Sequence, residues 1–152
     1  MQVPADRVSW DPKSTVAFWI NQISRRILRL HDARLKAFGF GMSQVPVLLA
    51  LEESGPLSQK ALAERSRVEQ PTMAEMLGRM ERDGVIERTP NPEDRRGSLV
   101  SLTRRSRARI PKAKDALMQG ERDATAGFSA AEKAILMELL LRVARNLDEA
   151  TE

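Results

Sequence analysis

The chain has 152 residues, no cysteine and a single histidine, and this length suits one domain with a hydrophobic core of its own. The absence of cysteine excludes a disulfide framework and a thiol-based redox sensor. No apolar run approaches the roughly 20 residues that a membrane span requires, and the start of the chain lacks the pattern of a signal peptide. We therefore expect a cytoplasmic protein with no membrane partner.

The net charge of +4 is distributed unevenly along the chain. Residues 57–110 carry 12 Lys and Arg against 8 Asp and Glu, whereas residues 111–152 carry 6 basic and 8 acidic residues. The positive charge is thus concentrated in the middle of the chain. This asymmetry is typical of a phosphate-binding module that is joined to a separate assembly module.

The first predicted elements are two helices behind an irregular arm. Residues 1–12 contain two prolines and no periodicity, although Trp10 could pack on the body. Ser14 or Thr15 can cap a long helix that extends to about Ala37, in which apolar residues recur at helical spacing. Its apolar surface exceeds what a lone surface helix needs, which predicts contact with another subunit. Ser43 is then expected to cap a second helix with a buried side made of Val45, Leu48, Leu49 and Leu51.

Two further helices follow the breaker Gly55-Pro56. Ser58 is a good N-cap for a short helix, and a longer helix is expected over roughly residues 69–83, with Gly84 as its left-handed C-terminal residue. Pro71 is tolerated in the first turn of that helix. An apolar stripe of the longer helix is predicted to lie in the core: Met73, Met76, Leu77 and Met80. Its opposite face is polar and carries Gln70, Thr72, Glu75, Arg79 and Arg82.

A β-hairpin is predicted after the second of these helices. Residues 85–89 and 98–102 read as strands, and residues 90–97 form a loop with adjacent Arg95 and Arg96. On composition alone the loop could equally be a solvated hairpin tip. Helix, turn, helix and basic hairpin together are the layout of a winged helix-turn-helix, which reads duplex DNA.

The C-terminal third is predicted to be helical. Thr103 can cap a helix whose first turns contain four arginines, and these either face phosphates or form a solvated basic face. Pro111 is expected to kink or restart this helix, and Gly127 to interrupt it. Ser129 and Glu132 form a capping box. The last helix has an apolar stripe that requires a partner surface: Ile135, Leu136, Leu139, Leu140, Val143 and Leu147.

The stretch LSQKALAERSRVEQPTMAEMLGRMERDGVIERTPNPEDRRGSLVSLT, residues 57–103, resembles the multiple-antibiotic-resistance-repressor (MarR) family of regulators. The most specific part is NPEDRRGSLVSLT. The resemblance implies that Asp94 holds the wing and that Arg95 and Arg96 enter the minor groove. Ser106 stands where the family usually has glycine, which leaves the local start of the next helix open. The candidate DNA-contacting residues are Gln70, Pro71, Thr72, Glu75, Arg79, Asp94, Arg95 and Arg96.

The resemblance also implies the organisation of the molecule. The expected fold is mainly α with a small β-hairpin wing, as a single domain over residues 1–152. Residues 43–110 form the winged helix-turn-helix, and residues 13–37 and 112–150 form dimerisation helices. The expected function is that of a homodimeric transcriptional regulator, a repressor, which binds a pseudo-palindromic operator in double-stranded DNA. In this family a small aromatic or phenolic effector commonly binds between the dimer helices and the reader.

Two alternatives to this function remain open at this stage, as does the lining of the effector pocket. Trp19, His31 and the basic start of the helix after Thr103 are the candidates to line an effector pocket, although Trp19 by itself fits better as a core residue. An enzyme would have to use His31, but no nucleophile motif accompanies it and Asp32 points about 100° away on a helix. No catalytic site, metal site or cofactor is therefore expected. A winged-helix protein-interaction module without DNA contact would keep the apolar stripes but would not need a basic wing.

Overall fold

The computed structural model describes residues 11–151, except for the side chains of Arg95 and Arg96. Most of the predicted N-terminal arm, including Trp10, lies outside the described residues. The chain divides into two compact units, the first ending at Leu117 and the second beginning at Met118. Its elements are α1 Val16–Leu35, α2 Val45–Ser54, β1 Leu57–Ser58, α3 Gln59–Ser66, α4 Gln70–Arg82, β2 Ile86–Asn91, β3 Asp94–Leu102, α5 Arg104–Ala124 and α6 Ala130–Thr151.

Helix α1 begins and ends where the sequence predicts. The Thr15 side-chain oxygen accepts a hydrogen bond from the Phe18 N–H at 3.2 Å, which satisfies one of the free donors of the first turn. A 3-10 turn over residues 36–38 follows the helix. Gly39 then adopts a left-handed conformation with φ +78°, which a glycine tolerates without a steric penalty.

Helix α2 corrects the sequence prediction in two respects. Ser43 does not cap it, because residues 42–44 form a 3-10 turn in which the Gln44 side chain accepts from the Gly41 N–H at 3.0 Å. Leu49 is 45% exposed rather than buried, and Val47 is fully buried in its place. Val47, Leu48 and Leu51 form the side of the helix that packs into the core, and Leu49 does not lie on that side.

The helix-turn-helix agrees with its prediction, and its turn has an unusual backbone. Ser58 caps α3 by accepting from the Ala61 N–H at 3.2 Å. Arg67, which ends α3, has φ +51° and is the only non-glycine residue with positive φ in the described part of the chain. Its N–H bonds back to the carbonyls of Ala63 and Glu64, which offsets the cost of that conformation. Gly84 has φ +68° after α4, as predicted.

The sheet is larger than the predicted hairpin. Its strand order is β1-β3-β2 and both pairings are antiparallel. Strand β1 pairs Leu57 with Val100 and Ser58 with Leu99, and the sequence analysis did not predict this strand. The predicted loop over residues 90–97 is wrong, because β2 and β3 continue to Asn91 and Asp94. The sheet thereby joins the entrance of α3 to the wing.

The core of the first unit lies between the helix-turn-helix, the inner face of the sheet and the start of α5. Its largest fully buried side chains are Leu35, Val47, Leu62, Met73, Leu77, Met80, Ile86 and Val100. The methionines fill irregular space between α4 and its neighbours, as unbranched side chains can. None of the described helices is apolar over a length that would cross a membrane.

Helices α5 and α6 complete the chain. Helix α5 continues through Pro111 without interruption, so the predicted restart there is wrong. The second unit contains the end of α5 and all of α6. The capping box is confirmed, since the Ser129 N–H donates to Glu132 Oε2 at 2.7 Å and the Glu132 N–H donates to the Ser129 side chain at 3.2 Å. The apolar residues of α6 are exposed, with Ile135 at 57% and Leu147 at 61%.

Candidate nucleic-acid interface

Helix α4 presents one polar face to solvent because its other face is locked in the core. Met73, Leu77 and Met80 are completely buried, and their spacing of four and three residues fixes the rotation of the helix. The opposite side of the helix is therefore exposed over its whole length. The exposed residues on this side are Gln70, Pro71, Thr72, Glu75, Arg79 and Arg82.

Polar side chains on this face are already paired with one another. Arg79 Nη1 donates to Glu75 Oε1 at 2.9 Å, one helical turn away. Gln59 Nε2 donates to Gln70 Oε1 at 3.4 Å and so links α3 to the start of α4. Exposed ion pairs of this kind are worth well under about 1 kcal/mol. Breaking the Arg79–Glu75 ion pair so that each side chain can contact a base edge therefore costs little free energy.

The wing carries a three-residue irregularity at its tip. Pro90 pairs with Ser98 and the next residue, Asn91, pairs with Asp94, so Arg95, Arg96 and Gly97 form a bulge in β3 between these pairs. A side chain at Gly97 would place its Cβ 3.1 Å from Asp94 Oδ2. The Asp94 carboxylate thus lies directly against the backbone of the bulge. The side chains of Arg95 and Arg96 lie outside the described residues.

The wing is tied to α4 by a residue that the sequence analysis missed. Arg88 on β2 donates from Nε to Glu81 Oε2 at 3.2 Å and from Nη1 to the Ser98 hydroxyl at 3.4 Å. Arg88 shares its face of β2 with buried Ile86, two residues earlier. An arginine at an inward strand position is the signal that could have identified it.

Two of the four arginines at the start of α5 hold main-chain carbonyls. Arg107 donates to the Leu102 carbonyl from Nε at 3.0 Å and from Nη2 at 2.6 Å. Arg109 Nη1 donates to the Phe38 carbonyl at 3.3 Å. The Arg109 contact differs from both predictions for the basic turns, whereas the Arg107 side chain is still 63% exposed, as a solvated basic face predicts. Arg104 and Arg105 are exposed.

The two candidate effector residues on α1 lie in different surroundings. Trp19 is 49% exposed and its Nε1 donates to the Lys13 carbonyl at 2.9 Å, so the prediction that it is a core residue is wrong for the chain by itself. The His31 Nε2 is buried and has no hydrogen-bond partner among the described residues. Asp32 Oδ1 accepts from the Met42 N–H at 3.0 Å. Within residues 11–151 no group of three His, Asp or Glu side chains could hold a metal ion.

Comparison with known proteins agrees with this geometry. The MarR family model matches residues 40–98. The uncharacterized HTH-type transcriptional regulator YwoH of Bacillus subtilis is 31% identical over 120 residues, which cover 79% of this chain and 87% of YwoH. A mutant MarR from E. coli, solved in complex with operator DNA, has a TM-score of 0.73 and 26% identity, covering 84% of this chain and 92% of that chain. The PcaV transcriptional regulator from Streptomyces coelicolor has a TM-score of 0.72 and 25% identity, covering 86% of this chain and 98% of that chain.

Proposed function

Because the chain belongs to the MarR family of transcriptional regulators, we propose that it is a homodimeric repressor. It binds a pseudo-palindromic operator and is released by a small aromatic or phenolic ligand. The observation that carries this proposal is the polar face of α4, exposed beside a wing. A regulator of this kind acts on chromosomal DNA, so its site of action is the cytoplasm and its function is binding rather than catalysis.

In this proposal α4 enters the major groove and supplies sequence preference. Gln70, Thr72 and Arg79 contact base edges or their neighbouring phosphates, and Pro71 packs at the start of the helix. Glu75 accepts a hydrogen bond from a cytosine amino group once Arg79 has turned to the DNA. The complex of E. coli MarR with operator DNA supports this use of the fold.

The wing contacts the adjacent minor groove. Arg95 and Arg96 belong to the bulge at its tip. A guanidinium inserted in a narrow minor groove gains from the concentrated negative potential there. Asp94 positions the bulge from its place against Gly97.

A second copy of the chain covers the exposed apolar residues of α1 and of α6. On α1, Val16 is 64% exposed and Ile23 is 49% exposed. Apolar residues that recur at helical spacing and stay exposed mark a surface that contacts another protein. Residues 13–37 and 112–150 supply this interface in the proposed dimer, while residues 43–110 form the DNA-binding region.

The effector is proposed to contact α1. The unpaired, buried Nε2 of His31 supports a polar ligand contact at that residue, and the exposed face of Trp19 can stack on an aromatic ring.

DNA binding at several salt concentrations tests the proposed function. Fluorescence anisotropy with a labelled duplex from the region upstream of the gene should show log affinity that falls linearly with log salt. Thr72→Ala should lower the preference for the specific duplex over a scrambled one, whereas Thr151→Ala, at an exposed threonine in α6, should not. Absence of binding at every salt concentration would favour the protein-interaction module instead.

A further inference from the structure

The wing passes from hydrophobic packing to polar contacts along the inner face of β2. Inward positions on a strand lie two residues apart, and on β2 they are Ile86, Arg88 and Pro90. Ile86 is buried in the core, the Arg88 side chain is 27% exposed, and Pro90 is exposed. Arg88 is therefore the position from which a polar contact can still hold the wing beyond the core.

Arg88 contacts two other elements at once. Its Nε donates to Glu81 Oε2 on α4 at 3.2 Å, and its Nη1 donates to the Ser98 hydroxyl on β3 at 3.4 Å. The guanidinium is planar and its N–H groups point in fixed directions, so two partners together restrict its orientation. Because Arg88 is partly buried, salt screens its pair with Glu81 less than it screens a fully exposed pair.

These contacts connect the two parts of the molecule that we propose bind DNA. Ser98 directly follows the bulge at the tip of the wing. Glu81 belongs to α4, whose exposed polar face is the candidate for the major groove. A link from Glu81 through Arg88 to Ser98 therefore sets the distance between that helix and the bulge.

We propose that Arg88 is a positioning residue that fixes the reach and angle of the wing relative to α4, so that the major-groove and minor-groove contacts form together. This inference rests on the proposed function, since the two grooves are those of the operator. A duplex presents its adjacent grooves at a set distance. A wing that is not held must be ordered when it binds, and this ordering lowers affinity. Arg88 acts here through Glu81 and Ser98 and contacts no base.

Glu81→Ala gives the sharpest test, because positioning and net charge predict opposite results for DNA affinity. The substitution removes a negative charge, so electrostatics alone predicts tighter binding. If Glu81 holds Arg88, the variant should bind DNA more weakly, by about threefold to tenfold. Glu87→Ala is the matched control, since Glu87 precedes Arg88 on the opposite, outer face of β2 and is 55% exposed. It removes the same charge and should bind at least as tightly as the wild type.

Arg88→Met tests whether the two charged residues act as one unit. Methionine keeps an unbranched apolar stem and removes both hydrogen bonds, so the variant should weaken DNA binding by about tenfold. Adding Glu81→Ala to Arg88→Met should cause no further loss, because residues that act only through each other are not additive. Fluorescence anisotropy with the full chain and a labelled operator duplex measures all four variants.

Backbone order parameters of the full chain without DNA report the link independently of binding. The values at the Gly97 and Ser98 N–H groups, from NMR relaxation, should fall in Arg88→Met and in Glu81→Ala and should stay at the wild-type level in Glu87→Ala. Glu81 is exposed on a helix, where alanine favours the helical state, so Glu81→Ala should remain folded even if Arg88→Met does not.

Three results would each overturn the positioning role. These are equal DNA affinities for Glu81→Ala and Glu87→Ala, losses that add in the double variant, and order parameters at Gly97 that stay unchanged in Glu81→Ala. The proposed function fails separately, if the wild type does not bind DNA, and the order parameters then still test whether Arg88 holds the wing.

Discussion

Asp94 places a negative charge on the surface that we propose faces phosphates, and this makes the wing testable at the level of single residues. The carboxylate packs against Gly97, so it shapes the bulge that carries Arg95 and Arg96. Asp94→Ala should therefore weaken DNA binding although it removes a negative charge. Arg96→Ala should weaken binding to all sequences and reduce the salt slope by about one for each phosphate that the variant no longer neutralises.

Glu93→Ala is the matched control for this prediction. Glu93 is an exposed acid at the same tip, so its removal changes the net charge by the same amount as Asp94→Ala. The measurement is DNA affinity at several salt concentrations for the three variants and the wild type. If Asp94→Ala and Glu93→Ala both bind more tightly and Arg96→Ala is neutral, the wing is a solvated loop.

Thr103 links the turn after α4 to the start of α5 through one hydroxyl group. Its Oγ1 donates to the Gly84 carbonyl at 2.9 Å and accepts from the Ser106 N–H at 3.2 Å, which caps α5. Thr103→Val keeps the shape and removes both bonds, so it should lower the free energy of unfolding by about 1–2 kcal/mol. Urea denaturation measures this change, with Thr89→Val at an exposed position as control. Equal midpoints for the two variants would contradict the role of the hydroxyl.

At the residue scale, local patterns could be predicted and tertiary partners could not. The stripe of Met73, Met76, Leu77 and Met80 follows from spacing alone, and the structure buries all of it except Met76, which is half-buried against the core. Arg107 and Arg109 were predicted to be solvated or to face phosphates. Their carbonyl partners, Leu102 and Phe38, could not be predicted from the sequence, because these contacts depend on how the elements pack. Ser106 stands where the resemblance predicts glycine. Its backbone N–H donates to the Thr103 hydroxyl, so α5 still begins with a capped first turn.

At the element scale, helix α6 begins with a capping box whose contribution to folding stability depends on pH. The hydrogen bonds with the Ser129 backbone and then the Ser129 side chain lower the pKa of Glu132 below its ordinary value of 4.5. Because the folded pKa lies below the unfolded one, the stabilisation is present above pH 4.5 and is lost as the pH falls through the lowered value.

The carboxyl carbon of Glu132, followed by NMR as a function of pH, reports this pKa directly. In the wild type it should titrate below 4.5. In Ser129→Ala it should titrate closer to 4.5, since the side-chain contribution is removed and the backbone N–H remains. Identical titration curves in the two proteins would mean that the box does not form in solution.

The observed element boundaries differ most from the predicted ones where a strand is defined by the strand that pairs with it. Leu57 and Ser58 read only as a helix entrance, and they form a strand because Val100 and Leu99 lie alongside. The hairpin extends to Asn91 and Asp94 for the same reason, although its prolines suggested a loop. Helix α5 tolerates Pro111 over its length Arg104–Ala124, where propensity alone predicts a restart.

At the scale of the whole molecule, α6 has an apolar surface that the described chain leaves exposed. Leu136 is 40% exposed, Leu139 46% and Leu140 42%. The sequence predicted both the helix and its apolar character. What covers the helix is a property of the assembly, and a single chain's sequence does not specify it. We attribute the surface to a two-fold interface with a second copy, which would also match a two-fold operator.

Charges placed in that surface test the assembly and its consequence for DNA together. Leu136 and Leu140 lie one helical turn apart, so Leu136→Glu combined with Leu140→Glu would bury like charges at the interface and should give a monomer by sedimentation velocity at micromolar concentration. Arg142→Glu, at an exposed polar position of the same helix, should remain dimeric.

The monomeric variant should lose most of its affinity for a duplex with two half-sites spaced by roughly 10 base pairs, one helical turn. Its affinity for a single half-site should equal that of the wild type, because α4 and the wing are unchanged. A wild-type chain that sediments as a folded monomer would refute the interface. A double variant that binds the two-half-site duplex as tightly as the wild type would refute the link between α6 and operator symmetry.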